Sequence, residues 1–338
     1  MKTIAFFNNK GGVGKTTLVY HVAHMLVDQG LRVLLLDLDP QSNLTAMCVS
    51  EERLEELWPG TLEHPQTILG CIRPILRGLG DIQEPHVETL RDGLAIVPGD
   101  LGLSSFEDRL SVAWPLALGG DEAAFRTLSA FYRAARLATA RHAADVVLFD
   151  IGPNLGAINR AALLAVDFVV TPLAPDLFSM QGLRNLGPTL REWRRSWQER
   201  LHKRPDPSLA LPAGHMRPLG YVLMQAVMRL SRPVKAYAKW VSRVPGIYNQ
   251  SVLADDASPA STAQDPWCLG IMRNYQSLMP LAQDAQKPMF HLRPADGAIG
   301  AHMAAVMSCR DDFERLVGAI LARVEALDGV AGPPASSA

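Results

Sequence analysis

The stretch NNKGGVGKTT at residues 8–17 constrains the fold of this chain more than any other feature of its sequence. It matches the phosphate-binding loop G-x-x-x-x-G-K-[ST], except that Asn9 stands where the first glycine is expected and Lys10 adds a second lysine. A loop of this kind joins a buried strand to the start of a helix. The apolar run TIAFF at 3–7 precedes the stretch and an amphipathic pattern at 16–29 follows it, so the sequence predicts that arrangement.

The residue types in this stretch are those that a phosphate group requires. Glycines leave backbone N–H groups free to converge on phosphate oxygens, and the start of the following helix adds a favourable dipole. We expect Lys15 to reach the β- and γ-phosphates and the hydroxyl of Thr16 to bind Mg²⁺. The predicted phosphate cradle comprises Gly11, Gly12, Val13, Gly14, Lys15 and Thr16.

The rest of the chain alternates short apolar runs with longer amphipathic stretches. The short runs are apolar throughout, which is typical of strands that are covered on both faces. This order of elements predicts an α/β fold with a mostly parallel, twisted sheet and helices on both of its faces. The predicted strands lie at 3–7, 33–37, 146–150, 168–173, 219–224 and 268–272. The predicted helices lie at 16–29, 66–78, 101–111, 121–142, 156–165, 178–203, 232–244 and 298–326.

The length of 338 residues is enough for one large or two modest domains; we expect one domain over residues 1–328, followed by a disordered tail at 329–338 that is rich in Gly, Pro, Ala and Ser. The four cysteines are widely spaced and contain no CxxC pair, so we expect reduced thiols in a cytoplasmic protein.

Acidic residues follow two of the predicted strands. Asp37 ends VLLLD, Asp39 lies two residues beyond it, and Asp150 ends VVLFD. Because ligands of open α/β sheets bind at the carboxyl ends of the strands, we expect these side chains near the phosphate loop. Mg²⁺ prefers one or two carboxylates together with water and phosphate oxygens. The sequence therefore predicts that Asp150 is the acidic residue of a Walker B strand.

Three segments, KGGVGKTT, DLDPQSN and DIGPNLGAINRAAL, resemble the ParA/Soj/MinD family of deviant Walker A P-loop ATPases. Similarity continues through LAIVPGDLGLSSFEDRL, FVVTPLAPDLFSMQGLRNL and IMRNYQSLMPLAQDAQKPM and touches most of 1–325. The resemblance implies a P-loop NTPase fold and a weak, partner-stimulated ATPase. Such a protein uses ATP and Mg²⁺, forms a homodimer in its ATP state and positions plasmids, chromosomes or other cargo. Compared with compact family members, the chain has extra length near 51–92, 113–142 and 245–266.

The resemblance also implies roles for single residues. Lys10 matches the signature lysine, which reaches across an ATP-sandwiched dimer to the partner's phosphates; such a cation stabilises phosphate charge only when two subunits close. Asp39 matches the residue that orients the attacking water, and Asp37 matches one near the magnesium ion. Thr17 matches an α-phosphate contact. Two residues of the closing segment are expected at the adenine: Arg273 and Asn274.

Three positions depart from the family pattern. Ser42 stands where DPQGN has its glycine, IGPN at 151–154 replaces the usual CPPS, and Met272 replaces the proline of IPRN. These departures affect the switch loops and the adenine pocket, and they leave the phosphate chemistry intact.

Positive charge is concentrated in one segment of a chain whose net charge is −1. Residues 184–243 contain thirteen Lys or Arg and three Asp or Glu, so the segment carries +10. Such segregation is an electrostatic footprint for a polyanion, and the segment matches the region in which Soj-like proteins carry non-specific DNA contacts. The best candidates for contact with double-stranded DNA are Arg229, Arg232, Lys235 and Lys239. A second group consists of Arg191, Arg194 and Arg195.

Three functions remain open from the sequence. The first is a ParA-like ATPase associated with the nucleoid, with a ParB-like protein or another cargo adaptor as its partner. The second is a MinD-like ATPase that cycles on membranes, which would need a basic amphipathic C-terminal helix. Mixed charge near the C-terminus disfavours it, so no membrane partner is expected. The third is a metabolic or electron-transfer relative of the same fold, and the scattered cysteines do not favour a cluster carrier.

Overall fold

The computed structural model describes residues 1–60, 63–226, 228–229, 232–233, 235–256, 261–275 and 277–330. The strands are β1 Lys2–Phe6, β2 Val33–Asp37, β3 Glu88–Arg91, β4 Leu94–Val97, β5 Val146–Asp150, β6 Phe168–Leu173, β7 Arg217–Ala226, β8 Met228–Arg229, β9 Arg232–Pro233 and β10 Cys268–Arg273. The helices are α1 Lys15–Asp28, α2 Asn43–Cys48, α3 Glu51–Leu57, α4 Ile68–Arg77, α5 Phe106–Leu118, α6 Glu122–Leu128, α7 Ala130–His142, α8 Ala157–Leu164, α9 Leu177–Leu201, α10 Lys235–Val241, α11 Val244–Tyr248, α12 Met279–Asp284 and α13 Ala301–Val330.

Eight strands form one sheet in the order β10-β7-β6-β1-β5-β2-β4-β3. All neighbouring pairs are parallel except β3 and β4, which are antiparallel at one edge. The predicted α/β fold with a mostly parallel sheet is confirmed. The strand order reverses at β1, because β5 and β2 lie on one side of it and β6 lies on the other. Ligands of such sheets bind at this point of reversal.

The sheet is buried on both faces because successive side chains of each strand point to opposite sides. On β1 and β2, Ala5 and Leu34 face a core with α4 to α9, whereas Ile4 and Val33 face a second core with α1 and α13. A smaller cluster joins β7 to α9 and α11. Strands buried in this way are apolar at every position, which explains why the sequence displays continuous apolar runs instead of alternation.

All six predicted strands are present, within a few residues of their expected bounds. The helix expected over 121–142 is two helices, because Ser129 leaves helical geometry and its hydroxyl donates a hydrogen bond to the carbonyl of Phe125 at 2.7 Å. Short elements at β3, α2 and α3 were not predicted. The predicted tail begins inside α13, which continues to Val330, and 331–338 lie outside the described residues.

His21 couples α1 to the segment before α13. Its Nδ1 donates to the carbonyl of Thr17 at 2.7 Å, and its Nε2 accepts from the backbone N–H of Met289 at 3.0 Å. One nitrogen donates and the other accepts, so the ring fits its site only when it is neutral. Burial lowers the pKa of His21 to about 4.

We expect His21 to make the folded protein sensitive to acid. The unfolded chain takes up this proton near pH 6.5 and the folded chain near pH 4, so stability is lost as pH falls through that window. As pH falls, the free energy of unfolding should decrease more steeply in the wild type than in His21→Leu. The difference between the two slopes should be up to about 1.4 kcal/mol per pH unit. Urea unfolding at pH 7, 6 and 5 measures this difference; equal slopes in the two proteins would contradict it.

Candidate functional site

The loop between β1 and α1 has the backbone of a phosphate cradle. Gly12 and Gly14 have φ values of 72° and 88°, which strain any residue with a Cβ, and a Cβ on Gly14 would also lie 3.3 Å from Met224 Cε. Helix α1 begins directly afterwards, so its free N–H groups face the loop. The mouth of the loop is fixed by Asn8, which donates to the carbonyl of Pro172 at 2.7 Å. This geometry is suited to binding an anion.

Two carboxylates lie beside this cradle, at the ends of neighbouring strands. Asp150 pairs with Phe6 of β1 on one side and with Asp37 of β2 on the other. Asp37 is fully buried and accepts hydrogen bonds from the backbone N–H and hydroxyl of Thr45 at 2.8 and 2.7 Å. Burial raises the pKa of Asp37 to about 7, against the effect of these two bonds.

Asp150 is also fully buried, and neither of its oxygens has a hydrogen-bond partner among the described residues. Burial, followed by the charge of Asp37, raises its pKa to about 8; the nearby Thr16 hydroxyl and Lys15 ammonium act in the opposite direction. A buried carboxylate without partners is a costly arrangement, and a cation bound beside it removes that cost.

Lys15 is almost completely buried beside these acids. Burial lowers its pKa, and the charges of Asp150 and Asp39 oppose that shift. Asp39 is itself buried, and one of its oxygens accepts from the backbone N–H of Gln41 at 3.0 Å. The predicted cluster of Lys15, Thr16, Asp37, Asp39 and Asp150 is therefore brought together at one edge of the sheet.

These residues fit a magnesium ion that also binds phosphate. Among the described residues, no group of three or more His, Cys, Asp or Glu side chains could hold a metal ion by itself. Mg²⁺ in phosphate sites needs no such cage, because one or two protein ligands are completed by water and phosphate oxygens. The unpartnered carboxylate of Asp150 and the hydroxyl of Thr16 supply ligands of that kind.

The second lysine of the loop has a partner that was not predicted from the sequence. The ammonium of Lys10 forms an ion pair with Asp176, and both side chains are about one third exposed. Asp176 also caps α9, accepting from the backbone N–H of Ser179 at 2.9 Å. The sequence does contain the signal for this cap, since an Asp before a helix commonly accepts from the third residue of its first turn. The neighbouring Phe178 is 74% exposed.

A cavity of about 180 Å³ adjoins the cradle on the side expected for the adenine. Arg273 and Asn274, both predicted there, line it together with Val13, Gly14 and Thr17. The guanidinium of Arg273 is held by Asp312 of α13, whose two oxygens accept its Nε and Nη2 at 3.0 Å each. The remaining walls are apolar or aromatic and comprise Leu18, Met224, Met272, Tyr275, Met279, Met289 and Phe313.

The basic segment contains partly buried arginines bound to the chain itself and exposed side chains. Arg191 donates to the backbone carbonyls of Ser251 and Val252, and Arg194 donates to those of His215 and Met216, so both side chains hold the fold together. Arg195 is exposed and paired with Glu192. Lys239 is also exposed. The side chains of three further candidates lie outside the described residues: Arg229, Arg232 and Lys235.

The chain is similar in sequence to known proteins over part of its length. An AAA domain family model matches residues 1–203. Protein IncC of Escherichia coli is 32% identical over 56% of this chain and 46% of its own length. The chromosome partitioning protein ParA of Caulobacter vibrioides is 30% identical over 60% of this chain and 66% of its own length. The chain spans about half to two thirds of the length of the curated relatives that it matches.

Solved structures extend the similarity over nearly the whole chain. The protein DIP2308 of Corynebacterium diphtheriae is 26% identical with a TM-score of 0.68, covering 97% of this chain and 100% of that protein. An ATP complex of a Cyanothece McdA variant is 18% identical with a TM-score of 0.63, covering 95% and 96%, and shows the shared fold. No helix in the described part of the chain is long and apolar enough to cross a membrane.

The contact between Asp312 and Arg273 predicts an effect on nucleotide affinity. Asp312→Asn removes a charge-assisted pair worth about 1.5 kcal/mol, so the wall formed by Arg273 should loosen and ATP should bind about tenfold more weakly. Titration with a fluorescent ATP analogue measures the change. The matched control is Asp311→Asn, which alters an exposed neighbour and should bind normally. Unchanged affinity in Asp312→Asn would exclude this support of the pocket.

Proposed function

Because the chain belongs to the ParA/MinD-type family of P-loop ATPases, we propose that it binds and hydrolyses ATP and positions a cargo on DNA. ATP closes two copies into a dimer, and the dimer binds DNA without sequence preference. Hydrolysis then separates the two copies and releases the DNA. A ParB-like protein or another cargo adaptor stimulates the hydrolysis.

Binding of the triphosphate is supported by the cradle and its charge. The left-handed backbone at Gly12 and Gly14 leaves N–H groups free to converge on the phosphates, and the buried Lys15 supplies a cation without solvent competition. Thr17 borders both the cradle and the base pocket, as an α-phosphate contact requires. Thr16, Asp37 and Asp150 would hold Mg²⁺, directly or through water.

Hydrolysis requires few chemical groups, because phosphoryl transfer is catalysed mainly by positioning and by stabilisation of charge. When bound, Mg²⁺ neutralises charge that develops on the phosphate oxygens. Asp39 orients the attacking water, a role that suits a carboxylate fixed at the edge of the cradle by its bond to Gln41. Lys15 stabilises the transferred group.

One observation carries the proposal of a dimer: Lys10 lies in the phosphate loop, yet its ammonium is paired with Asp176 at the exposed rim. An ion pair that is about one third exposed contributes little to stability, so it can be exchanged at small cost. We propose that closure moves Lys10 from Asp176 to the phosphates bound by the other copy. The exposed Leu177 and Phe178 beside it would be covered at the same time.

Binding to DNA rests on the exposed part of the basic segment. Arg184, Lys203, Arg204 and Arg243 are exposed in addition to the exposed candidates Arg195 and Lys239. Arg229, Arg232 and Lys235 remain proposed contacts. Arg191 and Arg194 contribute to the field of this surface while their guanidinium groups bind carbonyls of the chain itself.

Two variants should separate closure from hydrolysis. Lys10→Ala should bind ATP normally and fail to dimerise, because the cation supplied across the interface is missing. Asp39→Ala should bind ATP and accumulate as a stable dimer, because water is no longer oriented. Light scattering with ATP and with ADP measures both, and Lys203→Ala, which removes another exposed lysine, serves as the control. Normal dimerisation of Lys10→Ala would refute the proposed closure.

Charge reversal on the basic segment should weaken binding to all duplex sequences alike. The slope of log affinity against log salt concentration should become less negative by about 0.9 for every DNA phosphate that a variant no longer neutralises. We expect this for Lys239→Glu and for the double variant Arg232→Glu/Lys235→Glu, with ATP-driven dimerisation retained. Arg310→Glu, on an exposed part of α13, is the matched control. Equal DNA binding with ATP and ADP, or an unchanged salt slope in the double variant, would remove this surface from the function.

A further inference from the structure

Glu107, near the start of α5, is bound to the helix that follows Asp150. Its two carboxylate oxygens accept the backbone N–H groups of Ala157 and Ile158, the latter at 2.9 Å. These are two of the first N–H groups of α8, which have no partner inside their own helix. A negative charge at this end of a helix is additionally favourable. Glu107 therefore anchors the first turn of α8 to a different element of the fold.

The anchored turn closes the loop that joins Asp150 to α8. Asn159, on the same turn, is almost completely buried and donates its side-chain amide to the carbonyls of Gly152 and Asn154 at 2.7 and 2.6 Å. Gly156 donates to the Asn154 side chain at 2.9 Å. A Cβ on Gly156 would lie 2.6 Å from a Glu107 oxygen, so a side chain at this position would displace the Glu107 carboxylate. The loop is thus fixed at both of its ends.

This loop lies between the residue proposed to orient water and the phosphate cradle. A Cβ placed on Gly152 would lie 3.4 Å from an oxygen of Asp39, and one placed on Gly11 would lie 3.9 Å from the ring of Pro153. A displacement of the loop would therefore change the surroundings of Asp39 before it affected the base pocket, which is formed by other elements.

We propose that Glu107 is a positioning residue for ATP hydrolysis, acting through the 151–156 loop on Asp39. This inference rests on the proposed ATPase function. The carboxylate is required because two N–H donors point at it. Glutamine offers one accepting oxygen and sets its own NH₂ group against the second donor, and aspartate is one methylene too short to reach both. Both replacements should release the loop while leaving the cradle intact.

Hydrogen–deuterium exchange tests the structural part without depending on activity. In Glu107→Gln, amides of 151–158 should exchange faster, and so should those of 38–42, which surround Asp39. The base-pocket segment 271–275 should be unchanged. Asp108→Asn, an exposed neighbour on α5, is the control and should match the wild type throughout. Unchanged exchange at 38–42 would overturn the proposal, whatever the activity of the protein.

Kinetics distinguish positioning from a general loss of stability. Glu107→Gln should lower kcat about ten- to a hundredfold and alter KM for ATP by less than about twofold, measured well below its melting temperature. Asn159→Ala should act on the same loop, so the double variant should be no worse than the more severe single variant. Normal kcat in Glu107→Gln, or fully additive losses, would refute the role of Glu107. If the wild type did not hydrolyse ATP, the proposed function would be refuted instead. Hydrogen–deuterium exchange at 38–42 would then still test whether Glu107 acts on the surroundings of Asp39.

Discussion

Two carboxylates, Asp37 and Asp150, are buried side by side at the ends of neighbouring parallel strands, and the surrounding structure depends on that constraint. Burial raises both pKa values, which expresses the cost of charging them there. Thr45 offsets part of this cost for Asp37 through two hydrogen bonds, and Lys15 offsets part of it for Asp150 through its charge. In the described part of the chain the oxygens of Asp150 have no hydrogen-bond partner, so a cation bound beside them would remove the cost of burying this carboxylate.

The phosphate cradle and the 151–156 loop lie at the same edge of the sheet as these two acids. The cradle follows β1 and the 151–156 loop follows β5, which pairs with both β1 and β2. Residues outside the sheet then fix the details: Asp176, the N-cap of α9, pairs with Lys10; Asp312 of α13 holds Arg273 at the cavity beside the cradle; and Glu107 of α5 holds the first turn of α8. At the rim of this edge lies the ion pair of Lys10 and Asp176, which is about one third exposed and can therefore be exchanged at small cost.

The sequence predicted the sheet, the cradle and the acidic cluster because each is encoded locally. A buried parallel strand is an unbroken apolar run, and a residue that ends such a run must lie at the ligand-binding edge. Contacts between distant segments carry no such signal. Asp312 meets Arg273 across 39 residues and Glu107 meets Ile158 across 51, so neither pair could be inferred from a pattern in one stretch. For the same reason composition marked Arg194 as a DNA contact, although its guanidinium binds carbonyls of the chain.

The central claim is that Lys10 acts on the nucleotide bound by the other copy, and a mixture of two inactive variants tests it most directly. Lys10→Ala retains Asp39, and Asp39→Ala retains Lys10, so a mixed dimer contains one site with both its own Asp39 and the partner's lysine. Each variant alone should hydrolyse no ATP, and the mixture should recover hydrolysis at up to half the wild-type rate per dimer. A mixture that demonstrably contains mixed dimers and remains inactive would contradict this claim.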